Sequence, residues 1–272
     1  MTKVWFITGT SKGFGREFAE AALERGDKVA ATARNLAALA DLARRYEDSV
    51  FPLTLDVTDR AAVFEAVAAT KERFGRIDVV VNNAGYGLFG AVEEITEQQL
   101  RDQLETNLFG VLHVTQAVLP ILREQGSGHI VQISTIGGVA AFPYLGGYHA
   151  SKWALEGLSE SLAQEAAGFG VKVTLVEPGG FDTDWSGASA TFAEPNPAYD
   201  AIRAAMAQQQ AGTTLPKPVG FGPAILDLVD SENPPLRVFF GEMPTLIVPQ
   251  IYDQRLRTWS EWAPLSRLAE GK

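Results

Sequence analysis

Apolar residues follow two alternating rhythms along the chain. Val4-Trp5-Phe6-Ile7 is an unbroken apolar run, the pattern of a strand buried on both faces. Phe14, Phe18, Ala22 and Leu23 then recur at helical spacing and predict a helix over residues 16–25. Further apolar runs at residues 29–32, 51–55, 79–81, 130–133, 171–176 and 236–240 read as strands. Helical periodicity at 36–46, 61–74, 98–122, 148–169 and about 199–209 separates them. Strands that alternate with helices imply right-handed crossovers and a parallel sheet covered on both faces. The expected fold is a single doubly wound α/β domain over residues 1–272, with about seven strands.

One stretch breaks the rhythm. Residues 185–222 carry Gly187, Gly212, Gly220 and Gly222 with Pro195, Pro197, Pro216 and Pro218. They lie beyond the carboxyl end of the sixth strand, where open α/β sheets bind ligands, so they predict a substrate lid. Trp185, Phe192, Tyr199, Met206, Leu215 and Phe221 give that lid an apolar, aromatic lining. A C-terminal extension, 241–272, holds Pro244, Pro249, Trp259, Trp262 and Pro264, and its aromatics read as packing.

Composition narrows the chemistry. Of 272 residues 46% are hydrophobic, ample for a full core, yet no run approaches the length of a membrane span. No signal peptide is visible. Cysteine is absent, which excludes disulfides and thiolate chemistry and fits a cytoplasmic chain. His113, His129 and His149 are scattered, so no metal site is expected. The net charge of −10 comes without a basic stripe, which argues against nucleic acid as a partner.

Two constellations carry chemistry. Gly9-Thr10-Ser11-Lys12-Gly13-Phe14-Gly15 sits at a strand-to-helix turn. Backbone N–H groups and the helix dipole can hold a pyrophosphate there, and glycine lets backbone and phosphate approach. Tyr148 and Lys152 are four residues apart on a helical pattern and share one face. A nearby ammonium favours the phenolate, so the pair can exchange a proton with an alcohol or carbonyl oxygen.

With Asp56, Asn82-Asn83-Ala84-Gly85, Asn107, Ile133-Ser134-Thr135 and Pro178-Gly179 followed by Thr183, these motifs stand in a familiar order and spacing. The chain resembles the short-chain dehydrogenase/reductase family, closely over residues 3 to about 184 and more loosely over the last strand. Residues 134–162 look most like its hydroxysteroid and retinol dehydrogenase branch. The resemblance implies a Rossmann-type domain and interconversion of a ketone or aldehyde with an alcohol. The lid lining points to a hydrophobic or aromatic small-molecule substrate. A nucleotide-sensing protein that keeps the fold without turnover is the alternative.

The resemblance also implies roles. Tyr148 is the expected acid/base. Lys152 holds the nicotinamide ribose and lowers the tyrosine's pKa, and Asn107 holds a water in a proton relay. Asn83, Ala84 and Gly85 pack beside the cofactor. Asp56 and Val57 meet the adenine, and Pro178, Gly179, Phe181 and Thr183 line the nicotinamide. The family's catalytic serine commonly lies 13 residues before the tyrosine, which here is Thr135 rather than Ser134. Thr135 keeps the hydroxyl and is preferred, with Ser134 left open by the glycines of the following loop. An NAD reader ends its second strand with an acid. Here Ala33 and Arg34 hold that place, with Lys12 as a second cation, which favours NADP over NAD. A homodimer or homotetramer is expected, paired through helices 98–122 and 148–169, with Leu104, Leu108, Val111, Leu155 and Leu158 as a shared face.

Overall fold

Seven parallel strands form one sheet in the computed structural model, which describes every residue except Met1, Asp184, Ser186, Ala188, Ala211, Thr213 and Lys272. The expected lid and extension therefore include residues that lie outside the described set. The strands are β1 (Val4–Ile7), β2 (Lys28–Ala33), β3 (Val50–Thr54), β4 (Val79–Asn82), β6 (Gly128–Ile133), β7 (Val171–Pro178) and β9 (Arg237–Phe240), in the order β3-β2-β1-β4-β6-β7-β9. Two more strands, β5 (Leu88–Phe89) and β8 (Thr191–Phe192), pair with each other outside the main sheet. Chain order reverses between β1 and β4, so a crevice opens at their carboxyl ends.

Helices cover both faces. In chain order they are α1 (Gly13–Glu24), α2 (Ala40–Tyr46), α3 (Arg60–Phe74), α4 (Glu97–Leu104), α5 (Gly110–Gln125), α6 (Gly146–Ala166), α7 (Asp200–Gln210), α8 (Phe221–Asp230), α9 (Glu242–Glu261) and α10 (Ala263–Ala269). Alternate residues of β1 feed different cores, as the two-residue period of a strand requires. Trp5 and Ile7 join Phe18, Leu42, Phe221 and Ile225 on one side. Phe6 joins Val67, Val118, Ile130 and Leu162 on the other. This double burial is why the strands read as continuous apolar runs.

The structure departs from the sequence reading in several places. The predicted helix over 98–122 is divided: a π-helical turn, Glu105–Phe109, joins α4 to α5. Phe221 does not line a lid. It starts α8, is 3% exposed, and its ring stacks on Phe14 with centroids 4.1 Å apart. The tail is two helices, although Pro249 lies inside α9. Its Trp259 and Trp262 are 65% and 62% exposed, so these rings do not pack within the chain.

The expected pairing face also divides. Val111 and Leu155 are buried in the chain's own core, whereas Leu104, Leu108 and Leu158 remain half-buried. Among the described residues, no helix is long and apolar enough to cross a membrane.

The middle of the lid is tied down by charge. Glu94 accepts from Asn196 N at 2.8 Å and pairs with Arg203 of α7, which also donates to the Asn196 carbonyl at 2.6 Å. Backbone bonds Thr191 N to Gly87 O, 2.9 Å, and Ala193 N to Phe89 O, 2.8 Å, stitch the lid to β5.

Candidate active site

The glycine turn follows β1 because backbone geometry there excludes side chains. Gly9 and Gly13 adopt φ of +71° and +60°, the left-handed region. A Cβ on Gly15 would lie 2.4 Å from both the Gly9 carbonyl and Asn83 Nδ2. The turn is braced from two sides. Asn83 Nδ2 donates to the carbonyls of Thr8 and Gly9, each at 2.9 Å. Thr8 Oγ1 accepts from the amides of Asn83 and Ala84 at 2.9 and 3.0 Å. Thr10 is buried, and both its amide and its hydroxyl donate to the Thr32 carbonyl, so it locks the turn to β2 and offers a ligand neither donor. Phe14 is turned toward Phe221 and Phe181, away from any ligand role of its ring.

These features fit a dinucleotide. The N-cap residue of α1, Lys12, makes no side-chain cap bond and the first turn has no acid, so among the described residues its amides are left to the crevice with the positive end of the helix dipole. Nothing lies within 4 Å of a Cβ built on Gly13, so that approach is open. Ser11, Lys12 and Arg34 are exposed beside the turn, and Ala33 is buried at the end of β2. Burial raises the pKa of Tyr86, which follows Gly85, with Asp102 adding to the shift and Arg34 opposing it. Asp56 is exposed past the end of β3, with Oδ1 accepting from the Thr58 amide at 3.0 Å and hydroxyl at 2.8 Å. Val57 is held by α5: His113 Nδ1 lies 3.1 Å from its carbonyl, and only glycine at 110 admits its side chain. Pro178 is buried, and Gly179 N donates to Phe240 O at 3.0 Å. Thr183 Oγ1 accepts from Trp185 N at 3.4 Å.

The reactive groups meet at the end of β6. Thr135 has extended backbone, φ −171°, and it and Ser134 meet different residues of α6. The Thr135 hydroxyl accepts from the Gly137 amide at 3.2 Å and lies close enough to the Tyr148 phenol to favour its ionised form. Ser134, 4% exposed, instead donates to the carboxylate of Glu156. Burial pushes the Tyr148 phenol above its ordinary pKa, opposed by the neighbouring Thr135 hydroxyl. This reverses the direction expected for a tyrosine beside an ammonium. Lys152 Nζ lies 6.0 Å from the Tyr148 ring centroid and donates to the Ile133 carbonyl at 2.7 Å. Burial lowers Lys152 to about 8, against the opposing charge of Glu156. Desolvation is therefore the largest influence at both residues, opposed by Thr135 at the phenol and by Glu156 at the ammonium.

Asn107 sits in the π-turn, fully buried. Its Nδ2 donates to Tyr86 O and Ser151 Oγ, each at 3.1 Å, and its Oδ1 accepts from Tyr86 N at 3.2 Å. The side chain is thus a clamp, and a water relay is left only a second lone pair on Oδ1. Asn107 Oδ1 and Lys152 Nζ converge on Gly85, where a Cβ would meet them at 3.0 and 3.8 Å.

Motif reading missed Ser151, Glu156 and Tyr86. Ser151 donates to Tyr148 O at 2.7 Å while accepting from Asn107. Glu156 lies one helical turn beyond Lys152, so the signal was present in the i, i+4 register. The placement of Tyr86 by Asn107 has no local sequence signal.

The sequence profile described as short chain dehydrogenase matches residues 3–193. The chain belongs to the short-chain dehydrogenase family. Oxidoreductase BOA17 of Botryotinia fuckeliana is 47% identical to this short-chain dehydrogenase over 245 residues, 89% of each chain. A 3-ketodihydrosphingosine reductase of Bacteroides thetaiotaomicron is 37% identical over 245 residues, 89% of this chain and 88% of its own. A short-chain dehydrogenase crystal structure from Streptomyces avermitilis superposes with a TM-score of 0.91 at 42% identity, covering 98% of both chains. Among solved structures, an alcohol dehydrogenase of Thermococcus sibiricus complexed with 5-hydroxy-NADP has a TM-score of 0.74 at 29% identity, covering 88% of this chain and 96% of its own. A Burkholderia phymatum family member in complex with NAD has 0.81 at 26%, covering 94% and 95%. The family is an oxidoreductase family with a nicotinamide cofactor, and the fold expected from the sequence is the fold observed.

Proposed function

We propose that this short-chain dehydrogenase interconverts a ketone or aldehyde with an alcohol, using NADP(H), on a hydrophobic or aromatic substrate. The observation that carries the reading is the meeting of the half-buried Thr135 hydroxyl, just past β6, with the buried Tyr148 phenol, and Lys152 one helical turn beyond the tyrosine. When bound, a reduced nicotinamide supplies the hydride for the carbonyl carbon. Thr135 holds the carbonyl oxygen by a hydrogen bond, and Tyr148, kept protonated by burial, gives its proton to that oxygen. Lys152, near 8, is mostly charged at neutral pH and steadies the charge left on the phenol. Asn107 and Ser151 hold α6 against the loop after β4 and so fix the distance between these groups.

NADP is preferred over NAD in this reading because Ala33 and Arg34 stand where an acid would accept from a free ribose hydroxyl. The neighbour with 5-hydroxy-NADP supports it and the one with NAD does not, so the preference rests on Arg34 and Lys12. The relative named for reduction of 3-ketodihydrosphingosine supports an apolar substrate. We further propose a homodimer or homotetramer, since the tail leaves Trp259 and Trp262 uncovered. A monomer mass by light scattering at micromolar concentration would refute that.

The test is loss of NADPH absorbance with a panel of aryl and alkyl ketones and aldehydes. Turnover is expected with apolar members, and Tyr148→Phe should lower it at least about 100-fold with little change in NADPH affinity. Near-normal turnover in that variant would end the mechanism.

A further inference from the structure

We propose that Trp185 sets the substrate range of this site, as the wall beside the reacting oxygen that admits flat or slim apolar carbonyl compounds and rejects bulky cage-like ones. The proposal deepens the reductase reading above and rests on it for the direction of chemistry.

Four rings form a continuous aromatic strip from the proton donor to solvent. Tyr148 and Trp185 have centroids 5.0 Å apart, Trp185 and Phe89 5.1 Å, and Phe89 and Phe192 5.1 Å. The strip begins at a phenol that is 6% exposed and ends at Phe192, 57% exposed. Rings at these separations touch, so a substrate substituent lies along the strip and does not pass through it.

The strip is seated, not draped. A Cβ on Gly87 would lie 2.7 and 2.9 Å from Cζ2 and Cε2 of Trp185, so the indole occupies space that only glycine leaves open. A Cβ on Gly90 would meet the Ala193 Cβ at 2.6 Å, so a second glycine lets the lid strand approach β5. The β5–β8 pairing then fixes Phe89 and Phe192 in register. A rigid wall against the proton donor discriminates by shape, whereas a hanging loop would yield to it.

The same wall explains the polarity of the site. Residues 87–89 and 191–193 contain no titratable side chain. Tyr148 therefore faces ionisable groups from its own helix, Lys152 and His149, while the lid side is apolar. Burial of the phenol is the dominant influence on it.

The experiment compares acetophenone, flat and slim, with 2-adamantanone, a cage. Steady-state kcat and KM are measured with NADPH for the wild type, Trp185→Ala and Trp185→Phe. Calorimetric affinities for the same ketones are measured with NADP+, where no reduction occurs. Trp185→Ala should raise the preference for 2-adamantanone relative to acetophenone by about tenfold or more, chiefly through a lower KM and a tighter dead-end complex. Trp185→Phe should restore most of the wild-type ratio. An unchanged ratio in Trp185→Ala, or no binding of either ketone, would overturn the wall. If the binding ratio shifts but no variant, nor the wild type, oxidises NADPH, the wall stands and the reductase reading fails. Because Trp185 meets Gly87 directly, Gly87→Ala gives a second handle: it must displace the indole, so it should change the ratio with the indole still present, and an unchanged ratio would count against the wall.

Discussion

Ser134 and Thr135 are neighbours in the chain with unrelated partners. Both meet α6, but two turns apart, one at Glu156 and the other at Tyr148. Thr135→Val keeps the shape and removes the hydroxyl, so it should cut turnover with little effect on melting. Ser134→Ala takes a donor from a buried carboxylate, which typically costs about 1–3 kcal/mol, and should lower Tm with a smaller effect on turnover. The opposite pattern in Tm and kcat would mean that the two hydroxyls had been assigned the wrong way round. Arg34 can be judged as sharply. Arg34→Ala should raise the NADPH dissociation constant roughly tenfold and hardly alter that for NADH. Equal affinities for the two nucleotides in the unmodified protein would return Arg34 and Lys12 to the status of surface charges.

At the scale of elements, the glycine turn and the π-turn place the chemistry. Gly13 and Gly15 are both in the motif but constrain it differently. Gly13 has a positive φ with open space around it, so Gly13→Ala should cost about 1–2 kcal/mol of backbone strain. At Gly15 the obstacle includes a backbone carbonyl 2.4 Å away, which no rotamer change relieves. Gly15→Ala should lower Tm further than Gly13→Ala and abolish measurable NADPH binding by calorimetry. Wild-type affinity in Gly15→Ala would count against the turn as the nucleotide seat. The π-turn explains why a helix predicted over 98–122 is two helices: its extra residue per turn aims Asn107 at the backbone of Tyr86. Local periodicity continues through such a turn, so the division is invisible until Tyr86 is placed.

For the whole molecule, pH acts through groups far apart in sequence. Glu177 of β7 is 1% exposed and pushed up to about 8 by burial, with the charge of Glu156 adding and Arg237 opposing. The folded protein keeps a proton there that the unfolded chain loses from about 4.5 upward, so this stabilisation is full below that pH and is lost as pH rises through 8. Buried His129 and His149 are both lowered to about 4, so their contribution is lost as pH falls from 6.5 toward 4. Tm should therefore peak at about pH 6.5 and decline toward pH 8. Glu177→Gln keeps the shape and removes the titration, so its Tm should fall less between pH 6 and 8 in calorimetric scans. A decline parallel to that of the wild type would show that Glu177 is not responsible.

The sequence by itself determined the strand order along the chain, the glycine turn and the Tyr148–Lys152 spacing. The reason is physical: strands buried on both faces are apolar throughout, and a motif within one turn or one helix keeps its geometry wherever the helix goes. Tertiary structure alone decided which residues those groups face. Phe221 reads as a lid aromatic but fills the core, because α8 packs on α1. The strands β5 and β8 are two residues each, too short for any period, and exist only because they pair with each other. The ammonium of Lys152 was expected to lower the Tyr148 pKa, yet burial raises it, since desolvation depends on everything packed around a group and not on its neighbours in sequence.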